Sequence, residues 1–241
     1  MFHSLDSAPP MRTAPLPESA SKRKLLDAAE QLFADKGFEA VSVRHITQLA
    51  KTNVAAVNYH FGSRDELLRL VMMRTLFPIN EERIALLESV ERKSEGKVVA
   101  LEELIDAFVR PLATQVLKSD LSERLFYKLA GRIFAEQGDG MPPQIGAQHK
   151  QIIERFTRSF AKVLPTLAME DLVWRIHFLA GGLIHLLTHQ DVIQRLSSGA
   201  SVTPSLEATL SRFIRFAAAG LREGTAPAEP APKAPQATFD F

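Results

Sequence analysis

Between Ser42 and Gly62 the apolar residues trace two short helical patterns separated by only three residues. Ser42 reads as the N-cap of the first, whose apolar positions are Val43, Ile46, Leu49 and Ala50. Lys51-Thr52-Asn53 interrupts the pattern, and Val54, Val57 and Phe61 resume it on the inner face of a second helix. A longer helix precedes the pair, with Ser21 as N-cap, Leu25, Leu26, Ala29, Leu32 and Phe33 along one side, and Gly37 as its stop. Gly62-Ser63 caps another that follows, with Leu67, Leu70, Val71 and Leu76 inward. Two short helices on a three-residue turn, set between longer ones, form a unit in which the first props the second. The second then presents its N-terminal side chains to base edges in a DNA groove.

If those apolar residues face inward, Asn53, Ala55, Ala56, Asn58, Tyr59 and His60 lie on or near the outward face. Small Ala55 and Ala56 let the backbone approach a groove closely, and an alanine methyl can touch a thymine methyl. Ser42, Arg44, Tyr59, His60 and Arg64 are placed to reach phosphates on either side. Two plainer readings stand beside this one: Tyr59 packing on the first helix, and His60 capping its own. Charge adds a little. The chain is nearly neutral, at +1, but between Ser21 and Thr75 nine lysines and arginines face six aspartates and glutamates.

The rest of the folded body is helical too. Patterns near 79–92, 101–118, 122–136, 142–163, 170–195 and 204–222 carry helical spacing, no segment alternates like a strand, and no repeat period emerges. The expected class is all-α, an N-terminal helix-turn-helix domain followed by a C-terminal helical one. Eight of the fourteen prolines cluster at the ends, with Pro9, Pro10, Pro15 and Pro17 at one and Pro227, Pro230, Pro232 and Pro235 at the other. The organisation read from this is a disordered tail over 1–20, a DNA-binding domain over 21–66, a ligand-binding and dimerisation domain over 67–222, and a disordered tail over 223–241. The chain has no cysteine, so disulfides and thiolate chemistry are excluded. No secretory signal is evident, and Arg175, His177 and His185 interrupt the most apolar run, Leu172 to Leu187, so a cytoplasmic protein with no membrane partner is expected. No nucleophile elbow, phosphate loop or nucleotide fingerprint occurs; Gly138-Asp139-Gly140 is isolated. An enzyme is therefore not expected, nor a cofactor. His185 and His189, four apart, could hold a metal, but without a carboxylate on that face a core or interface role is the reading, and no metal is expected.

Residues 25–70, LLDAAEQLFADKGFEAVSVRHITQLAKTNVAAVNYHFGSRDELLRL, resemble the N-terminal domain of the tetracycline-repressor (TetR) family. The opening LLDAA with its LF and Gly37, the ITQLA helix, the YHF ending and the GSRDELL start carry the likeness. It implies a homodimer that binds a palindromic operator in double-stranded DNA, represses transcription, and is released by a small molecule. A metal- or drug-responsive regulator of the same fold, or a helical enzyme or adaptor without DNA binding, are the alternatives. Two departures from the family pattern fall in this stretch. Lys51 occupies a turn position where the family commonly has glycine, and a side chain there carries a cost of about 1 kcal/mol if the backbone needs positive φ. Lys51 and Thr52 then join the DNA-facing set beside a phosphate. Asn58 replaces a common tyrosine, and the N-A-A-V-N-Y-H-F helix looks like the branch responsive to fatty acids or their acyl-CoA derivatives.

The Trp174-Arg175-Ile176-His177-Phe178 run is similar to the same branch. Arg175 and His177 sit in an apolar stretch and need partners if buried: an internal or interface contact, or the acidic head of a ligand. The cavity is expected among helices 101–163, with Phe108, Phe134 and Phe156 as candidate lining and Arg110-Pro111 as a bend that opens it. Arg124, Lys128 and Arg132 form a basic stripe, either a solvated face or a surface that meets a carboxylate or CoA phosphate, with Arg132 the candidate ligand contact. The helices at 170–195 and 204–222 have apolar faces too wide for one neighbour, and the resemblance makes them the dimer's four-helix bundle. Gly181-Gly182 in mid-helix suggests a close helix approach.

Overall fold

A computed structural model describes residues 19–94, 96–135, 141–189, 192, 195 and 205–223; the proposed Pro-rich tails and Gly138-Asp139-Gly140 lie outside these, apart from Ser19, Ala20 and Glu223. The described residues form nine α-helices and a 3-10 turn, and no strand. They fall into two compact units, the first ending at Leu68 and the second beginning at Arg69.

The first unit contains α1 (Ala20–Lys36), α2 (Val43–Leu49), α3 (Val54–Phe61) and the start of α4 (Arg64–Lys93). Its core is the predicted stripe: Leu25, Leu26, Ala29, Phe33, Ile46, Ala50, Val57, Phe61 and Leu67 are buried, with Phe38 edge-on to Phe33. The N-cap of α1 is Ser19, two residues before the expected Ser21, and its hydroxyl accepts from the Lys22 amide at 3.2 Å. Leu49 and Val54, expected inward, are exposed. Each stands at the end of a two-turn helix, where Ile46 with Ala50 and Val57 with Phe61 already fill the i, i+4 contact with α1.

The second unit is built from the rest of α4, α5 (Leu101–Gln115) with a 3-10 turn at Val116–Lys118, α6 (Glu123–Ala135), α7 (Pro143–Val163), α8 (Met169–Thr188) and α9 (Leu206–Arg222). A helix ending before Pro78 and a new one from 79 were expected; α4 instead runs through Pro78. Proline deprives the Arg74 carbonyl of its amide donor. Burial of Val71, Thr75, Ile79, Asn80 and Leu87 on either side holds the helix together. Fully buried Phe108, Phe156 and Phe160 centre the core, and the buried Tyr127 hydroxyl donates to the Ala113 carbonyl at 2.9 Å. Of the two mid-helix glycines only Gly182 is needed for a close approach: a Cβ there would stand 3.3 Å from the Phe213 ring, whereas at Gly181 it would meet nothing. No helix among the described residues is long and apolar enough to cross a membrane.

One polar clamp ties α4 to α7. Arg155 donates through both terminal nitrogens to Glu91, and the Ser159 hydroxyl donates to the same carboxylate at 2.8 Å. The Arg155 guanidinium, with Ser159 beside it, holds the Glu91 carboxyl below the usual carboxylate range. A group with a depressed folded pKa stabilises above its unfolded value and loses that contribution as pH falls through the folded one. Glu91→Gln is therefore expected to lower stability by about 1 kcal/mol at neutral pH. Denaturant titrations should show that difference shrinking as the buffer is taken below about pH 4.

Candidate functional site

Local hydrogen bonding explains how seven- and eight-residue helices hold their place in the first unit. Ser42 and His45 form a capping box on α2: the Ser42 hydroxyl accepts from the His45 amide at 3.3 Å, and His45 Nδ1 accepts from the Ser42 amide at 3.2 Å. Histidine in the place of the usual Glu or Gln hid this box from sequence reading. At the other end the Thr52 amide donates to the Thr47 carbonyl at 2.9 Å and the Lys51 amide to Gln48 at 3.3 Å. That pair is a Schellman closure with Lys51 at its left-handed position, φ 53°. Lysine thus stands in the positive-φ conformation anticipated for the turn. Asn53 then caps α3, its Oδ1 accepting from the Ala56 amide at 2.9 Å, which leaves its side-chain NH2 pointing outward as a donor.

The surface left by these contacts is polar and open. Ser42, Arg44, Lys51, Asn53, Ala55, Asn58 and Tyr59 are exposed, and Thr52, Ala56 and His60 half-buried. Tyr59 is 85% exposed and touches the His60 ring edge-on, so packing on α1 does not account for it. Arg64 is the exception. Its guanidinium donates to the Val41 carbonyl at 2.9 Å and to that of Phe38, and lies 5.7 Å over the Phe33 ring. It braces the loop before α2 from behind rather than pointing outward.

The second unit contains a cavity of about 290 Å³ between α4, α5, α6, α7 and α8. Its walls are mostly apolar, among them Leu76, Ile133, Ile153, Ile176 and Leu183, with Asn80, Arg83, His149, Lys150, Glu154 and His177 as polar points. Phe108, Phe134 and His177, expected here, do line it, and the Phe134 and His177 rings stack at 6.2 Å. The other three lie elsewhere. Phe156 is core, edge-on to Phe108 at 5.1 Å, and Arg132 is not among the lining residues. Arg175 closes the C-terminus of α9, donating to the carbonyls of Gly220 and Leu221 at 2.9 and 3.2 Å and to Glu223. It makes the internal contact of its two readings. His185 and His189 stack at 4.6 Å, and no group of three or more potential metal ligands occurs among the described residues.

Arg83 was missed. The run Ile79-Asn80-Glu81-Glu82-Arg83 looks like a solvated face, yet Ile79, Arg83 and Leu87 are spaced four apart and the two apolar members are buried. Its Nε donates to the Phe108 carbonyl at 2.8 Å, its Nη1 to Asn80 at 3.3 Å, and its plane lies 4.6 Å over the Phe108 ring. Burial pulls its pKa down to about 10, and burial followed by the charge of Arg83 lowers that of His149.

Two family models match the chain. "Bacterial regulatory proteins, tetR family" covers residues 25–71, and "Tetracyclin repressor-like, C-terminal domain" covers residues 106–220. The "Probable HTH-type transcriptional regulator YttP" of Bacillus subtilis (strain 168) is 39% identical over 49 residues, which is 20% of this chain and 24% of that protein. The chain therefore aligns with about a quarter of that relative's length. Among solved structures, a tetR-family bacterial regulatory protein from Rhodococcus RHA1 is similar with a TM-score of 0.57 at 15% identity, over 85% of this chain and 98% of that one. AmtR from Mycobacterium smegmatis gives 0.54 at 18% identity, over 84% and 88%. At these identities the structures show the fold.

The left-handed Lys51 makes a direct prediction. Lys51→Gly relieves the Cβ clash, offset in part by glycine's greater unfolded-state entropy, and is expected to raise stability by up to about 1 kcal/mol. Chemical denaturation followed by circular dichroism measures it; a loss of stability would show that the lysine side chain contributes more to the turn than its backbone strain costs.

Proposed function

Since the chain belongs to the tetR family of bacterial transcriptional regulators, we propose that it represses transcription by binding a palindromic operator as a homodimer, through α2 and α3, and leaves the DNA when a small apolar effector fills the cavity of the second unit. The observation that carries this reading is the open face of α3. Its cap leaves the Asn53 amide available, Ala55 and Ala56 give little bulk, and Asn58 and Tyr59 stand clear of the core. Ser42, Arg44, Lys51, Thr52 and His60 flank that face as phosphate contacts. Arg64 is assigned to holding the loop at Phe38 and Val41, and so to positioning α2.

Pairing through α8 and α9 is supported by what those helices leave uncovered. Trp174, Phe178 and Phe216 are 56%, 64% and 78% exposed, and Phe178, Gly182, Phe213 and Phe216 line one shallow apolar groove. An apolar face of this kind on a soluble helical unit marks an interface. The apolar walls support an apolar or acyl effector, with a fatty acid or an acyl-CoA as the notable candidates. Release follows from linkage: the effector must favour the arrangement that binds operator less well, by the ratio of its affinities for the two. Helix α4 is the natural carrier, since Leu76, Ile79, Asn80 and Arg83 line the cavity and Arg64 opens the same helix.

Fluorescence anisotropy with DNA from the chain's own promoter tests the reading. Salt-dependent binding is expected, with Lys51→Ala flattening the log–log salt slope by about 1. Phe178→Glu should give a monomer in sedimentation velocity and a large loss of operator affinity. A full-length protein with no preference for its promoter over unrelated DNA would overturn the proposal.

A further inference from the structure

Arg83 brings a positive charge to the wall of a largely apolar cavity, and no Asp or Glu among the described residues forms an ion pair with it. The one carboxylate among the lining residues, Glu154, pairs with Lys150 at 3.8 Å instead. The other polar groups lining the cavity are the Asn80 amide, His149, His177 and that Lys150–Glu154 pair, and none of them forms an ion pair with the guanidinium. Its geometry is specific as well. The Phe108 ring covers one face, the Phe108 carbonyl takes Nε–H, and Asn80 takes one hydrogen of Nη1. Of the five N–H groups of a guanidinium, the remaining three, two of them on Nη2, meet no acceptor among the described residues. Asn80 is itself buried and held by Gln148, so the head of Arg83 is fixed before any ligand arrives.

We infer that Arg83 is the anion receptor of this cavity, and that the molecule it receives is a compact apolar body bearing one free carboxylate; the inference rests on the effector reading above and narrows its chemistry. A carboxylate accepts two N–H groups of a guanidinium through its two oxygens, which a hydroxyl or an ester carbonyl cannot do. Once it is bound, the burial that depresses the Arg83 pKa is compensated by an opposite charge. The cavity, about 290 Å³, sits at the lower end of the roughly 300–1,000 Å³ usual for ligand sites. That space suits a medium acyl or aryl acid. A coenzyme A thioester fits poorly, because esterification removes the charge that Arg83 is placed to meet.

The test is calorimetry on the full chain with decanoate, decanol, decanoyl-CoA and phenylbutyrate. Decanoate or phenylbutyrate is expected to bind, decanoate at least about tenfold tighter than decanol or decanoyl-CoA, as one charge-assisted bidentate pair would give. Arg83→Gln should erase the preference of acid over alcohol, and Arg83→Lys should restore part of it. Equal affinity for decanoate and decanol in the unmodified protein overturns the inference without recourse to a variant. So does tighter binding of decanoyl-CoA, the absence of binding by both acids, or an Arg83→Gln protein that melts normally and keeps its preference. Promoter binding is measured separately without ligand. If acids bind through Arg83 and no operator is held, the regulator reading falls while the receptor stands; if operator is held and acids are ignored, the reverse holds.

Discussion

Pro78 removes the amide that would have closed a helical turn on Arg74, and only because α4 continues through it does one helix reach both the cavity wall and the clamp on α7. An interior proline costs about 3 kcal/mol or more in an isolated helix. Here the turns on both sides bury Val71, Thr75, Ile79, Asn80 and Leu87, and the Glu91 clamp to α7 holds the far end. Tertiary burial outweighs the local propensity. The result is a single helix whose first turn carries the brace at Arg64 and whose middle carries the cavity wall at Leu76, Ile79 and Arg83.

The same balance of local cost against wider gain recurs at the two candidate sites. Lys51 accepts a left-handed backbone so that the Schellman closure can end α2 and release the chain into the Asn53 cap of α3. Arg83 accepts desolvation at the wall of an apolar cavity, partly repaid by the Phe108 ring and carbonyl. Departures from the locally favourable choice tend to cluster where a protein does its work. In this chain they stand at the turn that aims the outward helix and in the cavity that would receive a ligand.

Much of the first unit is legible in the sequence, because its contacts are short-range. A stripe at i, i+3 and i+4 identifies Leu25, Phe33, Ile46, Val57 and Phe61 as core, and cap residues mark where the helices begin. Even so, Ser21 gave way to Ser19 at the head of α1, since several small polar residues there could serve as a cap and only the backbone path chooses between them. Arg64 was read as a phosphate contact because its position follows α3. Its guanidinium is long enough to turn back to carbonyls more than twenty residues earlier, a choice invisible in periodicity.

In the second unit the sequence by itself determined the helical class, the order of the helices and the broad apolar faces of α8 and α9, since each is a property of residues three or four apart. Tertiary structure decided which of many apolar and basic residues share a cavity. Phe108, Phe134 and His177 meet there, whereas Phe156 goes to the core and Arg175 to the end of α9. Arg83 was hidden among Glu81 and Glu82, and only the convergence of five helices turns its face inward. The physical reason is the range of the contacts. A helical stripe is written into neighbouring residues, but a cavity is a space left between helices distant in sequence, and its chemistry belongs to whichever side chains the packing leaves facing it.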